Sequence, residues 1–308
     1  MTDQLLELPP DPLIERRRIV QQKAADSLGR RVFISRVYIA VLVLAFAAVL
    51  VPLGSVLITL IHRGVNSISL AFLTSLPTQP SLVAQNAIGG IGNAIEGTLI
   101  IDGLAALVAI PIALLLGLYL SESYSRPANF IRGITEIMTG LPSILMGVFA
   151  YIYIVVPMKA YSGLAGIVAL GVLMVPVIAK ASELAFRGVP STLREAGLAL
   201  GARSSKVTRG IILPVAMPGV ITGVLLSLAR AMGETAPLLL VIGASGQWTW
   251  NPQHAMSALP LLTYLYSGSQ YPSQQAAAWG VALTLVFMVM VLAVGSRVVS
   301  ARMRRERR

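Results

Sequence analysis

A chain of 308 residues that is 56% hydrophobic and only 12% charged cannot cover itself with a water-facing surface, because soluble domains carry about 25% charged residues. Its mean hydropathy of +0.77 marks an integral membrane protein. The net charge of +11 does not indicate nucleic acid, since the basic residues flank apolar runs as the positive-inside rule describes. The absence of cysteine removes disulfides, thiolate metal sites and cysteine nucleophiles. His62 and His254, the two histidines, lie outside the apolar runs, so no histidine-based metal or catalytic cluster is expected.

Residues 1–36 are polar and mixed in charge, with Arg16, Arg17, Arg18, Lys23, Arg30, Arg31 and Arg36. The segment is too long and too acidic for the start of a signal peptide. It reads as a cytoplasmic tail, part of it a helix along the membrane. The apolar run 37–61 has 25 residues, enough to cross a ~30 Å core at ~1.5 Å per residue and too long for a cleaved signal. A loop with Pro77, Pro80, Gly89 and Gly90 follows. The second span covers about Asn93 to Leu120, with Glu96 and Asp102 in its first third. Glu96 is expected near the outer water interface. Asp102 is left between that position and a pairing with Arg230 or Lys180. The third span covers about Phe130 to Val156 and contains Gly140-Leu141-Pro142-Ser143, and the fourth covers Gly163 to Phe186, with Pro176, Lys180 and Glu183.

Ser191 to Gly210 is a charged interruption about 20 residues long, where the short turns 121–129 and 157–162 spend 9 and 6. The fifth apolar stretch, about Ile211 to Ile242, holds Arg230 and Glu234 and is expected to be one continuous helix. Ala244 to Gln275 is a long loop, Ala276 to Val299 the sixth span, and 300–308 an arginine-rich tail. Twenty of the Lys and Arg residues fall on the side that bears both termini, and only Arg63 and Lys159 fall in the opposite loops. Both termini and the 187–210 loop are therefore expected in the cytoplasm.

Within the charged loop, Thr192-Leu193-Arg194-Glu195 has the form of a capping box. It predicts a helix to about Leu200 that stops at Gly201, a residue suited to the left-handed position after a helix. Leu193, Ala196, Gly197 and Leu200 share one small apolar face. Ser204 is expected to cap a second short helix running toward Pro214. The plainer alternative is an ordinary loop packed on its own bundle. Gly201 to Lys206 only faintly resembles a phosphate-binding loop. It lacks the second glycine before the lysine, and Val207 stands where Ser or Thr is needed.

On the fifth stretch, Gly219, Gly223, Ser227, Arg230 and Glu234 make one small, polar stripe. An arginine within a span costs ~2.5–3.5 kcal/mol on insertion scales, so Arg230 needs a partner, a cavity or an anion. Glu234, one helical turn away, can neutralise it. That pairing is compatible with a structural role and with a gate.

Glu195-Ala196-Gly197, then Gly201, then Ile211-Ile212-Leu213-Pro214 resembles the "EAA" loop of ABC importer permeases, with Gly in place of the second Ala. The resemblance implies an all-α integral membrane fold of the MetI-like kind. Six transmembrane helices would hold a cytoplasmic coupling helix, within 190–210, that docks on a separate ATPase. By the same resemblance Glu195, Ala196, Gly197, Gly201, Leu213 and Pro214 serve that coupling. Ala229-Arg230-Ala231-Met232-Gly233-Glu234-Thr235-Ala236-Pro237 is similar to the A-R-x-x-G-E-T-A-P segment of the PstA-type, phosphate-specific permeases. Thr139-Gly140-Leu141-Pro142-Ser143-Ile144 and Met256-Ser257-Ala258-Leu259-Pro260 are similar to two further segments of that family. The match covers about 85–300 and leaves out the N-terminal tail.

The family's P-x-x-x-R-x-x-E-E becomes Pro176, Lys180, Glu183 and Leu184, a departure at two places. The resemblance implies phosphate import along a pathway with Arg230, Glu234, Thr235 and Ser143. The implied partners are a paralogous PstC-type permease, a PstB-type ATPase dimer that uses the ATP, a PstS-type phosphate-binding protein, and membrane lipids. No cofactor is expected in this chain, no metal, and no enzyme activity of its own. Location in a bacterial inner membrane is implied. The rival readings are a permease for sulfate, phosphonate or polyamine, a phosphate-sensing regulatory subunit, and a secondary transporter.

Overall fold

A computed structural model describes residues 12–78 and 89–305. Parts of the N-terminal tail, of the first outer loop (Pro80 among them) and of the final arginine cluster lie outside the described residues. All regular structure among the described residues is helical. Five helices are long and apolar enough to cross a membrane, and a bent pair completes the six expected spans.

The chain divides into two compact units, one ending at Thr59 and the other beginning at Leu60. In the first, the expected tail is not a separate helix. It runs without a break into the first span as α1, Pro12–Gly64. Its 53 residues correspond to a rod of roughly 80 Å at ~1.5 Å per residue.

The second unit contains α2, Leu70–Thr74, capped by the Ser69 hydroxyl, which accepts from the Phe72 amide at 3.1 Å. Next come α3, Gly92–Glu122, and α4, Arg126–Gly140, whose first turn is capped by Ser125. Then follow α5, Ser143–Ala150, a π turn over Tyr151–Val155 and α6, Val156–Met158. The third span is therefore not straight, because α4 and the α5–α6 segment meet at 100°. Leu141 precedes a proline and is extended, with φ −70° and ψ 141°, as steric contact with the Pro142 ring requires.

Helix α7, Gly163–Arg187, is the centre of the bundle. Ile101 lies beside Gly166 and Ala105 near Gly171, and Gly117 meets Ala179 and Ser182. Residue numbers rise together on α3 and α7, so the two are parallel. On α3, buried Ala105, Ala109 and Ala113 lead to Gly117 at every fourth position, a small-residue seam of the kind that lets membrane helices approach closely.

The charged loop forms α8, Ser191–Ala199, and α9, Ser204–Val207. A π turn, Thr208–Ile212, then leads directly into α10, Leu213–Ala231. The capping box is not used. Helix α8 starts two residues earlier than the box requires, behind Pro190, and has no side-chain cap. The expected stop is observed, since Gly201 has φ +77°. The Ala202 amide bonds to the Gly197 carbonyl and the Gly201 amide to that of Leu198, which is a Schellman ending. Ser204 is likewise not a cap, and Arg203 holds that position without a side-chain bond. The second short helix is instead the first turn of the fifth span. Each π turn stands just before a proline, Pro157 or Pro214. A proline gives no N–H to the carbonyl four residues back and its ring crowds that group, so a wider turn accommodates it.

Gly219 and Gly223 lie over Ala185 and Ala181, so α10 runs antiparallel to α7. Helices α11, Ala236–Val241, α12, Leu259–Ser267, and α13, Pro272–Arg305, complete the chain. The segment 244–275 is only partly a loop. Helix α12 starts with Pro260 in its first turn, a position where a missing N–H is not felt. Met256, Ala258, Leu259 and Leu261 are buried, the Leu259 amide donates to the Thr98 hydroxyl at 2.9 Å, and Gly97 abuts the Ser257 carbonyl. Trp248 and Trp250 remain exposed.

Candidate functional site

The fifth span does not continue to Ile242. Helix α10 ends at Ala231, residues 232–235 form a turn, and α11 resumes at Ala236. Arg230 is therefore in the last turn of one half-helix, and Glu234 is in the break. Arg230 Nε lies 3.5 Å from Glu234 Oε1, with side-chain exposures of 49% and 17%. The i, i+4 pairing is formed, but across a broken helix. Of the predicted polar stripe, Gly219 and Gly223 are absorbed in packing against α7, and Ser227 is buried with no hydrogen-bond partner among the described residues.

Arg230 lines a small cleft with Met138, Thr139 and Leu141 from the end of α4, Met146 from α5, and Leu173 and Val177 from α7. Leu173 and Val177 fall about half way along α7, so the arginine sits at mid-span depth. The break at Leu141-Pro142 and the break at 232–235 come together here, since a Cβ on Gly147 of α5 would touch Pro237 of α11. Non-helical backbone at this depth is tolerated where it lines a cavity or is buried in protein. Thr235 is half-buried in front of α11 and its side chain makes no capping bond. Ser143 opens α5 but does not line the cleft, whereas Thr139 and Leu141 of the same motif do.

Neither Glu96 nor Asp102 of α3 forms an ion pair with Arg230 or Lys180 among the described residues. Lys180 Nζ faces Glu136 Oε1 at 3.7 Å, both more than half exposed. Glu96, about one turn into α3, is buried and both its oxygens lack a partner among the described residues. Asp102 is buried too, with Oδ1 unpartnered.

A second polar centre lies at the other end of α3. Glu183, 8% exposed, accepts from Arg132 Nε at 2.9 Å and from Arg187 Nη2 at 2.8 Å. Both arginines also donate to the Leu120 carbonyl, at 2.9 and 3.1 Å, and so satisfy an acceptor left open where α3 ends. Glu183 thus ties α4 to α7 while the arginines cap α3. Two residues beyond Leu120, Glu122 Oε1 accepts from Arg194 Nη2 of α8 at 3.1 Å and from Thr208 Oγ1 at 3.1 Å. Arg132, Arg187, Glu122 and Arg194 were not singled out by sequence reasoning. The one available signal was charge concentrated at the predicted inner ends of three spans.

Of the six residues in the expected coupling motif, Gly197 is buried on α8 against Val207 and Ile211. Glu195, Ala196 and Gly201 are exposed, and Leu213 and Pro214 are half-buried at the start of α10. The predicted apolar face of α8 is not packed as a unit. Leu193, Leu198 and Leu200 are exposed, an apolar patch on a polar end of the kind that marks an interaction surface.

The fold is that of a multi-pass, all-helical membrane protein. A family model described as "Binding-protein-dependent transport system inner membrane component" matches residues 109–305. The protein is 33% identical over 80% of its length to phosphate transport system permease protein PstA of Yersinia pestis, covering 83% of that chain. It is 32% identical over 99% to PstA 1 of Mycobacterium tuberculosis strain H37Rv, covering 98% of that chain. Among solved structures, the MetNI methionine ABC transporter in an inward-facing conformation matches 68% of this chain and 94% of its own at a TM-score of 0.58 and 22% identity. A bacterial alginate ABC transporter matches 87% and 93% at 0.59 and 16%; these two likenesses concern the fold. The chain belongs to the family of binding-protein-dependent inner membrane transport components, within the group of PstA-type permeases.

Proposed function

We propose that this chain is one half of an ATP-driven pore that imports inorganic phosphate, with Arg230 on the ion's path. The observation that carries the reading is the convergence of two helix breaks on Arg230 at mid-span. Discontinuous helices near the bilayer midplane are a recurring way to build ion and substrate sites. A guanidinium matches an oxyanion with two parallel N–H donors. Glu234 holds Arg230 when no anion is present and weakens anion binding enough for release. A monohydrogen phosphate can also donate its proton to Glu234, which fully ionised sulfate cannot do. Thr235, at the second break, and Ser143, just after the first, lie outside the cleft itself and are proposed as further pathway residues.

The charge asymmetry of the loops supports cytoplasmic termini and a cytoplasmic α8. The partners are a PstC-type permease that closes the pore around Arg230 and a PstS-type binding protein at the outer segments. A PstB-type ATPase dimer hydrolyses ATP and docks on α8. There, exposed Glu195 and Ala196 meet the ATPase, Gly197 and Gly201 shape the helix, and Leu213 and Pro214 carry its motion into α10. Arg230→Gln in the assembled complex is expected to lower phosphate uptake by at least about 10-fold, as loss of a charge-assisted anion contact implies. Co-purification of the partners should be unchanged. Uptake near wild type would remove Arg230 from the path.

A further inference from the structure

We propose that Glu122 is a positioning residue for coupling: its carboxylate clips the α8 hairpin to the inner end of α3, so that movement of α8 is passed to α3, α4 and α7 as one body. This rests on the importer reading above and adds a residue outside the coupling motif.

One oxygen of Glu122 accepts from both arms of the hairpin, from Arg194 on α8 and from Thr208, 86 residues away from Glu122, where the π turn begins. The arms are already joined. Gly197 packs on Val207 and Ile211, and the Schellman ending at Gly201 fixes the turn between them. The hairpin is therefore a small rigid unit, and Glu122 is its polar link to α3. Two residues back, the Leu120 carbonyl receives Arg132 and Arg187, which share Glu183. The ends of α3, α4 and α7 thus form one knot, with Glu122 on the side facing α8.

The hairpin also leads covalently into α10, but through the π turn. A π turn in a long helix is a common place for a functional irregularity. Thr208 anchors the start of that turn to α3. A pull on α8 then reaches two groups of spans at once: α10 through the chain, and the α3–α4–α7 knot through Glu122. Glu122 and Arg194 are about one-third exposed, and pairs of that kind add little to stability. The consequence of losing the clip is in transmission rather than in folding.

The test uses the full chain assembled with its partner subunits in proteoliposomes, with ATP hydrolysis and uptake of radiolabelled phosphate followed together. Glu122→Gln is expected to lower phosphate moved per ATP by about 3- to 10-fold, within the span of roughly 2- to 30-fold by which single substitutions change coupling between sites. Hydrolysis and thermal stability should stay close to wild type. Thr208→Val, which removes one arm, should give a smaller loss. The exchange Glu122→Arg with Arg194→Glu should recover most of the ratio. An unchanged ratio in Glu122→Gln would overturn the proposal, as would a parallel fall of hydrolysis and uptake, or an exchange that recovers nothing. If the wild-type complex moves a different oxyanion, the same ratio is measured with that ion, and only the phosphate reading falls.

Discussion

Glu183→Ala is expected to destabilise the protein by about 2–3 kcal/mol, a little under the ~3–5 kcal/mol typical of breaking a fully buried ion pair. The discount reflects the two arginines, which are 21% and 32% exposed while Glu183 is 8% exposed. They keep some contact with water and retain the Leu120 carbonyl. What is lost is the one anion between two guanidinium groups, which then repel each other across the α4–α7 contact. Glu183→Gln, which keeps an acceptor and drops the charge, should fall between wild type and Glu183→Ala. Thermal unfolding of the detergent-solubilised complex, followed by loss of the monodisperse peak, measures the order. Equal stability of all three proteins would show that the knot is ornamental.

Gly117→Val is expected to be comparably severe. A Cβ there would stand 2.7 Å from the Ala179 carbonyl oxygen, 2.7 Å from Ser182 Cβ and 3.1 Å from the Glu183 amide. Two of these three are backbone atoms of α7, which cannot rotate away. Overpacking typically costs ~1–3 kcal/mol, and here the shift would also pull Glu183 away from Arg132. Gly103→Val on the same helix is the control, because a Cβ there meets nothing within 4 Å. Expression and thermal stability should drop for position 117 and hold for position 103. Equal tolerance at both positions would mean that α3 and α7 are not seated as described.

The spans themselves were legible, because length and apolar composition decide what can cross a bilayer. The breaks were not. Residues 140–143 and 232–235 lie in apolar runs, and composition says nothing about the direction of the chain. Pro142 was visible, but prolines 52, 111, 176 and 218 lie inside helices that continue through them. The Arg230–Glu234 pair was readable from spacing, while its company was not. Thr139 and Leu141 arrive from 90 residues away through a bend. The Glu183 knot was hidden for the same reason, since Arg132 is 51 residues distant. The burial of Leu259, Leu261 and Leu262 was missed, because the segment between two spans read as a loop. The Gly201 ending was correctly read because a left-handed turn leaves so few residues to choose from. The Thr192–Glu195 capping box was misread because the helix already starts behind Pro190, two residues earlier.

The most direct test of the import reading is ATP-driven uptake by the purified complex in proteoliposomes, with phosphate and sulfate supplied at equal concentration. Phosphate accumulation that requires ATP, with little sulfate uptake and loss of both on Arg230→Gln, is the predicted result. Equal uptake of sulfate, or phosphate uptake that persists without ATP, would contradict it.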